Sequence, residues 1–367
     1  MADDDLTQRW IIASRDLRRI LSGKPPATMA DQLSLLSGTA VDLDQRPDIY
    51  GGGLVAELET RVAGLLGKPA AAFFPTGTMA QQVALRIWSE KTANPTVALH
   101  PLHHPEVHER KAYSTLSGLR AVWPTTARRS ATADEIRAMP EPFSVLSVEL
   151  PLRDAGFILP TWDELVDGCA AVRERGAAVH FDGARLWEST VHFGQDLPTI
   201  AALADSVYVS FYKSLGALAG AVLAGDEEFV QVAKVWRHRY GGQMFSQWPT
   251  ILTALDGLDR ELPRLPDYVA HARLVADALA GLPGATVVPH PPHTHQFQLW
   301  LPFPAETLNR VVVEMAEQEH VVFAAGWHEQ PPGGVSISEI TVAEPALAWT
   351  ADDVLAVGKD FVARASA

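Results

Sequence analysis

The sequence predicts an α/β fold with two parts: a large domain on a mostly parallel central sheet, then a smaller α+β domain. Three observations carry this prediction. Short apolar runs alternate with helical patterns or long crossovers from Ala70 to Ser210, as strands buried on both faces of a parallel sheet do. The run ELPRLP at 261–266 breaks that alternation with two prolines. The chain has 367 residues, more than one small core supports. The expected parts are an N-terminal helix and extension at 1–48, a large domain at 49–262 and a small domain at 263–367.

Residues 6–22 carry apolar positions at helical spacing with Arg15, Arg18 and Arg19 between them, which predicts an amphipathic helix stopped by Lys24-Pro25-Pro26. Asp48–Gly53, DIYGGG, reads as a loop, because three consecutive glycines lose too much freedom in a helix or strand. A helix over Leu54–Leu66 follows, with Gly67 as its C-cap. AAAFFPTG then reads as strand and turn before a helix over Met79–Lys91, and TVALH as a strand before the polar stretch Glu106–Glu109. FSVLSVEL, a helix over Trp162–Arg175, AAVHFD and SVYVSF continue the series. After the proline break, helical patterning over Asp267–Leu282, the run VVPHPPHTHQFQLWL, a helix over Ala305–Gln318 and VVFAAGW suggest the smaller α+β part. In such a sheet, ligands bind at the carboxyl ends of the strands.

The net charge of −14, with basic residues scattered, repels phosphate backbones and predicts no nucleic-acid partner. No apolar run approaches the roughly 20 residues of a membrane span, so no membrane partner is expected. The single cysteine, Cys169, forms no internal disulfide, and the acidic start MADDDLTQRW lacks a signal-peptide pattern. The expected compartment is cytoplasmic.

The chemistry is concentrated in two strand ends. Val179–Arg185 is a strand that ends in Asp182, Gly183 and then Arg185, and Lys213 ends the next strand, 31 residues after Asp182. Asp-Gly alone is a common turn, and a lone loop lysine is usually solvated. Together they suit pyridoxal phosphate: a buried carboxylate keeps a pyridine nitrogen protonated, and a lysine in an apolar setting offers a neutral amine for a Schiff base. Upstream, Pro75-Thr76-Gly77-Thr78 lies between strand and helix, where backbone N–H groups can hold a phosphate, although such a turn is more often a simple N-cap. His104 follows another strand and could stack on a flat ring, with Glu109 orienting it. His103, His104 and His108 lack the His-Glu-x-x-His order, so no metal site is expected there. His290, His293 and His295, among prolines, read as surface or strand-entry residues.

These residues resemble the threonine aldolase branch of the β-eliminating lyases. The likeness runs from about Tyr50 to Gly242 through Tyr50-Gly51, Phe74–Ala80, His104 with Glu109, Asp182–Trp187, Lys213–Gly220 and Arg239 with Gly241-Gly242. The resemblance implies a fold type I pyridoxal phosphate enzyme that works as a homodimer or homotetramer with interfacial sites. It assigns phosphate binding to Gly77 and Thr78, ring stacking and a possible base role to His104, and the ring nitrogen to Asp182. Arg185 would contact the cofactor's phenolic oxygen or the substrate carboxylate, and Lys213 would be the Schiff-base lysine. The implied reaction cleaves a β-hydroxy-α-amino acid such as threonine to glycine and an aldehyde. The alternative is β-elimination or amino transfer on an atypical amino acid or amine.

Three departures bear on the substrate. The family's opening Arg-Ser-Asp-Thr type segment is replaced by Leu35-Leu36-Ser37-Gly38-Thr39, in which Ser37 is the candidate substrate contact. An arginine of the family's Gly-Gly-x-Met-Arg-Gln run is here Phe245. The C-terminal strand that holds the family's carboxylate-binding arginine corresponds to Val335–Thr341, with Glu339 and no arginine. A carboxylate neighbour repels the anion that an arginine fork would grip. Either Arg185 or another cation such as Arg239 then holds the carboxylate alone, or the substrate carries something else there, such as an amine or amide.

Overall fold

The computed structural model describes residues 2–330 and 333–367, and its first element is shorter than the sequence spacing predicts. The N-terminal helix is Ala2–Ala13, followed by a 3-10 turn at Ser14–Asp16 and a short strand, β1, at Arg19–Ile20. The backbone of this segment is drawn into pairing instead. The N–H groups of Arg18 and Arg19 donate to the His320 carbonyl at 2.8 and 3.2 Å, and β1 runs parallel to Val321–Val322. A helix continued to residue 22 would forfeit those bonds.

The described residues fall into two units, one spanning Leu33–Pro263 and the other joining the N-terminal residues up to Gln32 with Arg264–Ala367. In the larger unit seven strands form one sheet: β2 Ala70–Phe74, β3 Thr96–Ala98, β4 Arg120–Val122, β5 Val145–Glu149, β6 Ala178–Gly183, β7 Ser206–Ser210 and β8 Ala221–Gly225. Their order is β2-β8-β7-β6-β5-β3-β4, and only β8 runs antiparallel to its neighbours. The mostly parallel sheet is therefore as expected. β4 and β8 did not stand out in the sequence, the first for shortness and the second because AVLAG continues an Ala- and Gly-rich run.

The helix Gly77–Thr92 seals one face of this sheet. Ala80, Val83, Ala84 and Ile87 pack with Phe74, Val97, Val145 and Leu223, all nearly or wholly buried. Their spacing on one helical stripe is what makes that burial possible. Each large side chain so buried contributes about 1.5–3 kcal/mol, and a charge at Val83 would break the seal. Register then sets the site: Asp182 pairs with Glu149 on one side and with Tyr208 on the other. Three polar side chains thus end up abreast at the carboxyl ends of β5, β6 and β7.

The smaller unit holds a four-stranded antiparallel sheet of β9 Thr286–Val288, β10 Gln296–Leu301, β12 His328–Gln330 and β13 Val335–Thr341, besides β11 Val321–Val322, which pairs with β1. The helices Leu265–Ala280, Ala305–Glu319 and Ala351–Ala365 belong to it. VVFAAGW contributes only two strand residues.

Candidate active site

Nine residues line a small cavity of about 190 Å³: Gly77, Thr78, Gln81, His104, Glu109, Asp182, Tyr208, Tyr212 and Lys213. A larger cavity of about 590 Å³ in the same unit is lined mainly by apolar groups such as Ile136, Leu165, Cys169 and Val172, together with Ser147 and Glu149. Chemistry rather than size marks the lysine cavity as the candidate.

Its floor is β6. Asp182 is 2% exposed, and its Oδ1 accepts the Ala184 N–H at 3.2 Å. On the next strand Glu149 accepts the His104 N–H through Oε2 at 3.1 Å. Wedged against both is His103, fully buried, its Nδ1 at 3.8 Å from Glu149 and 3.9 Å from Asp182, its Nε2 at 3.0 Å from Ser147 Oγ. Burial, then the neighbouring His104, pushes the His103 pKa down to about 3, so this ring is neutral. Burial and the charge of Asp182 push Glu149 upward, toward the protonated acid.

Lys213 follows β7 in a loop held from both sides. Trp187 Nε1 donates to the Ser210 carbonyl at 2.9 Å, and the Ser214 hydroxyl donates to the buried Glu188 at 2.6 Å. Burial lowers the affinity of Lys213 for its proton, and Arg185 lowers it further, against the pull of Asp182 and Glu149. The amine is thus biased toward its nucleophilic form. Arg185 is 8% exposed, with its guanidinium 5.3 Å from the Phe157 ring centre and its Nε without a partner.

The opposite wall is the start of the helix Gly77–Thr92. Thr76 caps it, accepting the Met79 N–H at 3.3 Å. A Cβ at position 77 would overlap the Tyr208 hydroxyl and lie 3.2 Å from that of Tyr212. Glycine is therefore required for the helix terminus to come this close to the floor. His104 is oriented from behind: Glu109 accepts from its Nδ1 at 3.1 Å and from Gln82 at 3.1 Å. With Nδ1–H donating, the lone pair of His104 sits on Nε2.

The structure brings together Gly77, Thr78, His104, Asp182 and Lys213 in one cavity, with Arg185 close enough to act on the lysine. It places two other sequence candidates elsewhere. Ser37 is exposed at the end of a helix, its hydroxyl bonded to the Ser34 carbonyl, and lines a separate apolar hollow with Leu33, Leu36 and Trp248. Arg239 is exposed and covers the ring of Trp236 at 4.5 Å. Glu339 pairs with Gln298 in the smaller unit's sheet. The three clustered histidines stay close, with the His104 and His108 rings 5.1 Å apart, but each bonds a different partner: His103 to Ser147, His104 to Glu109 and His108 to Asp154 at 2.7 Å. Sequence reasoning passed over Gln81, Glu149, Tyr208 and Tyr212. Gln81 could have been found by its place one helical turn after Gly77-Thr78, and Glu149 by its strand-end position.

A family model described as beta-eliminating lyase matches residues 31–300. A low-specificity L-threonine aldolase of Candida albicans is 30% identical over 60% of this chain, a match spanning 61% of that relative's length. Low-specificity L-threonine aldolase 1 of Arabidopsis thaliana is 28% identical over 76% of this chain and 78% of its own. A crystal structure from Listeria monocytogenes, provisionally named as an L-allo-threonine aldolase, superposes with a TM-score of 0.90 at 33% identity, covering 97% of this chain and 99% of that one.

Proposed function

Because the chain belongs to the beta-eliminating lyase family, we propose that it is a pyridoxal phosphate-dependent carbon–carbon lyase, cleaving a β-hydroxy-α-amino acid such as threonine to glycine and an aldehyde. One observation carries this reading: a half-buried lysine with a depressed pKa shares a cavity with a buried carboxylate, an oriented imidazole and a capped helix N-terminus. The residues fit the cofactor. The cavity lacks room for a side chain at position 77, and two nearly buried polar atoms, Gln81 Nε2 and Arg185 Nε, have no hydrogen-bond partner in the chain. When bound, pyridoxal phosphate supplies an aldehyde for an amine and an acceptor for the electron pair released as the Cα–Cβ bond breaks.

The chain's own groups would do the rest. Gly77 and Thr78 would hold the phosphate with backbone N–H groups, helped by the positive end of the helix. Asp182, tied to Ala184 and supported by the neutral His103, would face the ring nitrogen. Lys213 would carry the cofactor on its amine. Arg185 would pair with an anionic oxygen of cofactor or substrate. His104, with its Nε2 lone pair turned away from Glu109, would take the proton of the β-hydroxyl group.

The same reading brings in a second copy. Leu33, Ile49, Tyr50 and Phe245 are 56–67% exposed in the larger unit, and a homodimer or homotetramer would cover them. Ser37 and Arg239 would then reach substrate through a neighbouring copy's site. The buried, unpaired Cys169 suits a reducing cytoplasm.

A second reading, β-elimination or amino transfer on an atypical amine, is favoured by one observation: β13 carries Glu339 where a carboxylate-binding arginine is expected. Product analysis of the loaded enzyme with threonine, allo-threonine and phenylserine decides. Glycine with an aldehyde is expected. Ammonia with a keto acid, or an amino group passed to an added keto acid, would replace the aldolase reading by the second.

A further inference from the structure

Beneath the helix Gly77–Thr92 runs a buried chain of hydrogen bonds that the reaction above does not use. Trp88 Nε1 donates to Ser206 Oγ at 2.8 Å, Ser206 Oγ lies 2.8 Å from His180 Nδ1, and His180 Nε2 lies 3.1 Å from Gln81 Oε1. All four residues are at most 7% exposed. The direction of the chain follows from its first member. An indole N–H can only donate, so Ser206 Oγ accepts from Trp88, and His180 Nδ1 is the acceptor within reach of its own buried hydrogen. That requires a lone pair on Nδ1 and places the ring proton on Nε2, which donates to the Gln81 carbonyl oxygen. The Gln81 amide nitrogen is thereby turned the other way.

That nitrogen has no partner in the chain, and Gln81 lines the lysine cavity one helical turn beyond Gly77 and Thr78. A buried amide donor left unsatisfied is costly, and helical side chains lean toward the N-terminus of their helix. We propose that Gln81 is a further ligand-binding residue, whose amide N–H meets an acceptor atom of the bound cofactor, and that Trp88, Ser206 and His180 are positioning residues that decide which end of the amide faces the cavity. The proposal rests on the cofactor reading above. Burial lowers the His180 pKa to about 4 and keeps the ring neutral, so one ring nitrogen donates and the other accepts.

The test uses the purified full-length protein and pyridoxal phosphate in equilibrium dialysis. Gln81→Met removes the donor with little change of volume and is expected to weaken binding about tenfold, the worth of one hydrogen bond. Gln81→Glu keeps an acceptor toward His180 but replaces the donor by an anion, and is expected to weaken binding more. Ser206→Ala, which frees the amide to turn over, should weaken it severalfold. Independently of ligand, ¹⁵N NMR of the cofactor-free protein should show His180 protonated on Nε2. Wild-type affinity in Gln81→Met, or a proton on Nδ1, overturns the proposal. Wild-type protein that takes up no cofactor overturns the functional reading and this proposal together, whereas normal uptake by wild type and Gln81→Met alike overturns this proposal alone.

Discussion

At the carboxyl ends of β5, β6 and β7, Glu149, Asp182 and Tyr208 are at most 5% exposed, and the side chains around them are tied to partners in the same chain. In the same unit Leu33, Ile49, Tyr50 and Phe245 leave 56–67% of their surface in water. The Tyr50 N–H donates to the Phe245 carbonyl at 2.8 Å, their rings lie 5.4 Å apart, and the Gln243 side-chain amide donates to the Tyr50 carbonyl at 3.0 Å. The floor of the cavity is thus built to work before any ligand or partner arrives, because register and burial fix it. The exposed apolar residues form the surface that the proposed homodimer or homotetramer would cover. Catalytic substitutions should therefore act on the first region without disturbing assembly, and surface substitutions the reverse.

The largest separation of the two is expected from Asp182→Asn. The change keeps the volume but removes the charge facing the ring nitrogen, and turnover should fall by at least about a hundredfold while the sedimentation coefficient stays that of wild type. A floor mutation that dissociated the oligomer would break the distinction.

Acid should reveal the floor as well. Between pH 6.5 and about 4 the unfolded chain binds a proton at His180 that the folded chain refuses. The stability of the cofactor-free protein therefore falls as pH falls through that window, by about 3 kcal/mol from this residue. His103 acts in the same direction down to about pH 3. Glu149, pushed toward the acid form, acts the opposite way, so the His180 share is read as a difference. Between pH 7 and 4.5 in urea denaturation, His180→Gln should lose about 3 kcal/mol less than wild type.

A smaller effect is expected at the surface. Phe245→Asp should weaken self-association by about 2 kcal/mol, as a buried aromatic anchor does when lost, and shift the oligomer toward monomer in sedimentation. The stability of the single chain should stay within about 0.5 kcal/mol. An unchanged oligomer would mean that this patch serves something other than a second copy.

Much of the floor was legible in the sequence, because a parallel sheet puts chemistry at strand ends and Asp182, His104 and Lys213 each follow an apolar strand. What escaped was whatever depends on neighbours distant in sequence. Glu149 matters because register sets it beside Asp182, and Gln81 because Trp88, Ser206 and His180 orient it. No local pattern encodes those contacts. The N-terminal helix was overextended for the same reason, since Arg19–Ile20 is claimed by Val321–Val322 some 300 residues away. Ser37 and Arg239 were chosen by likeness, and within one chain the structure leaves both on the surface.

The central claim is that Lys213 is the residue that binds pyridoxal phosphate covalently. Reduction of the cofactor-loaded protein with borohydride, followed by peptide mapping, tests it directly. A pyridoxyl group on Lys213, absent from Lys213→Ala along with activity, is the predicted result. A label on another lysine, or none in a protein that still cleaves substrate, would contradict it.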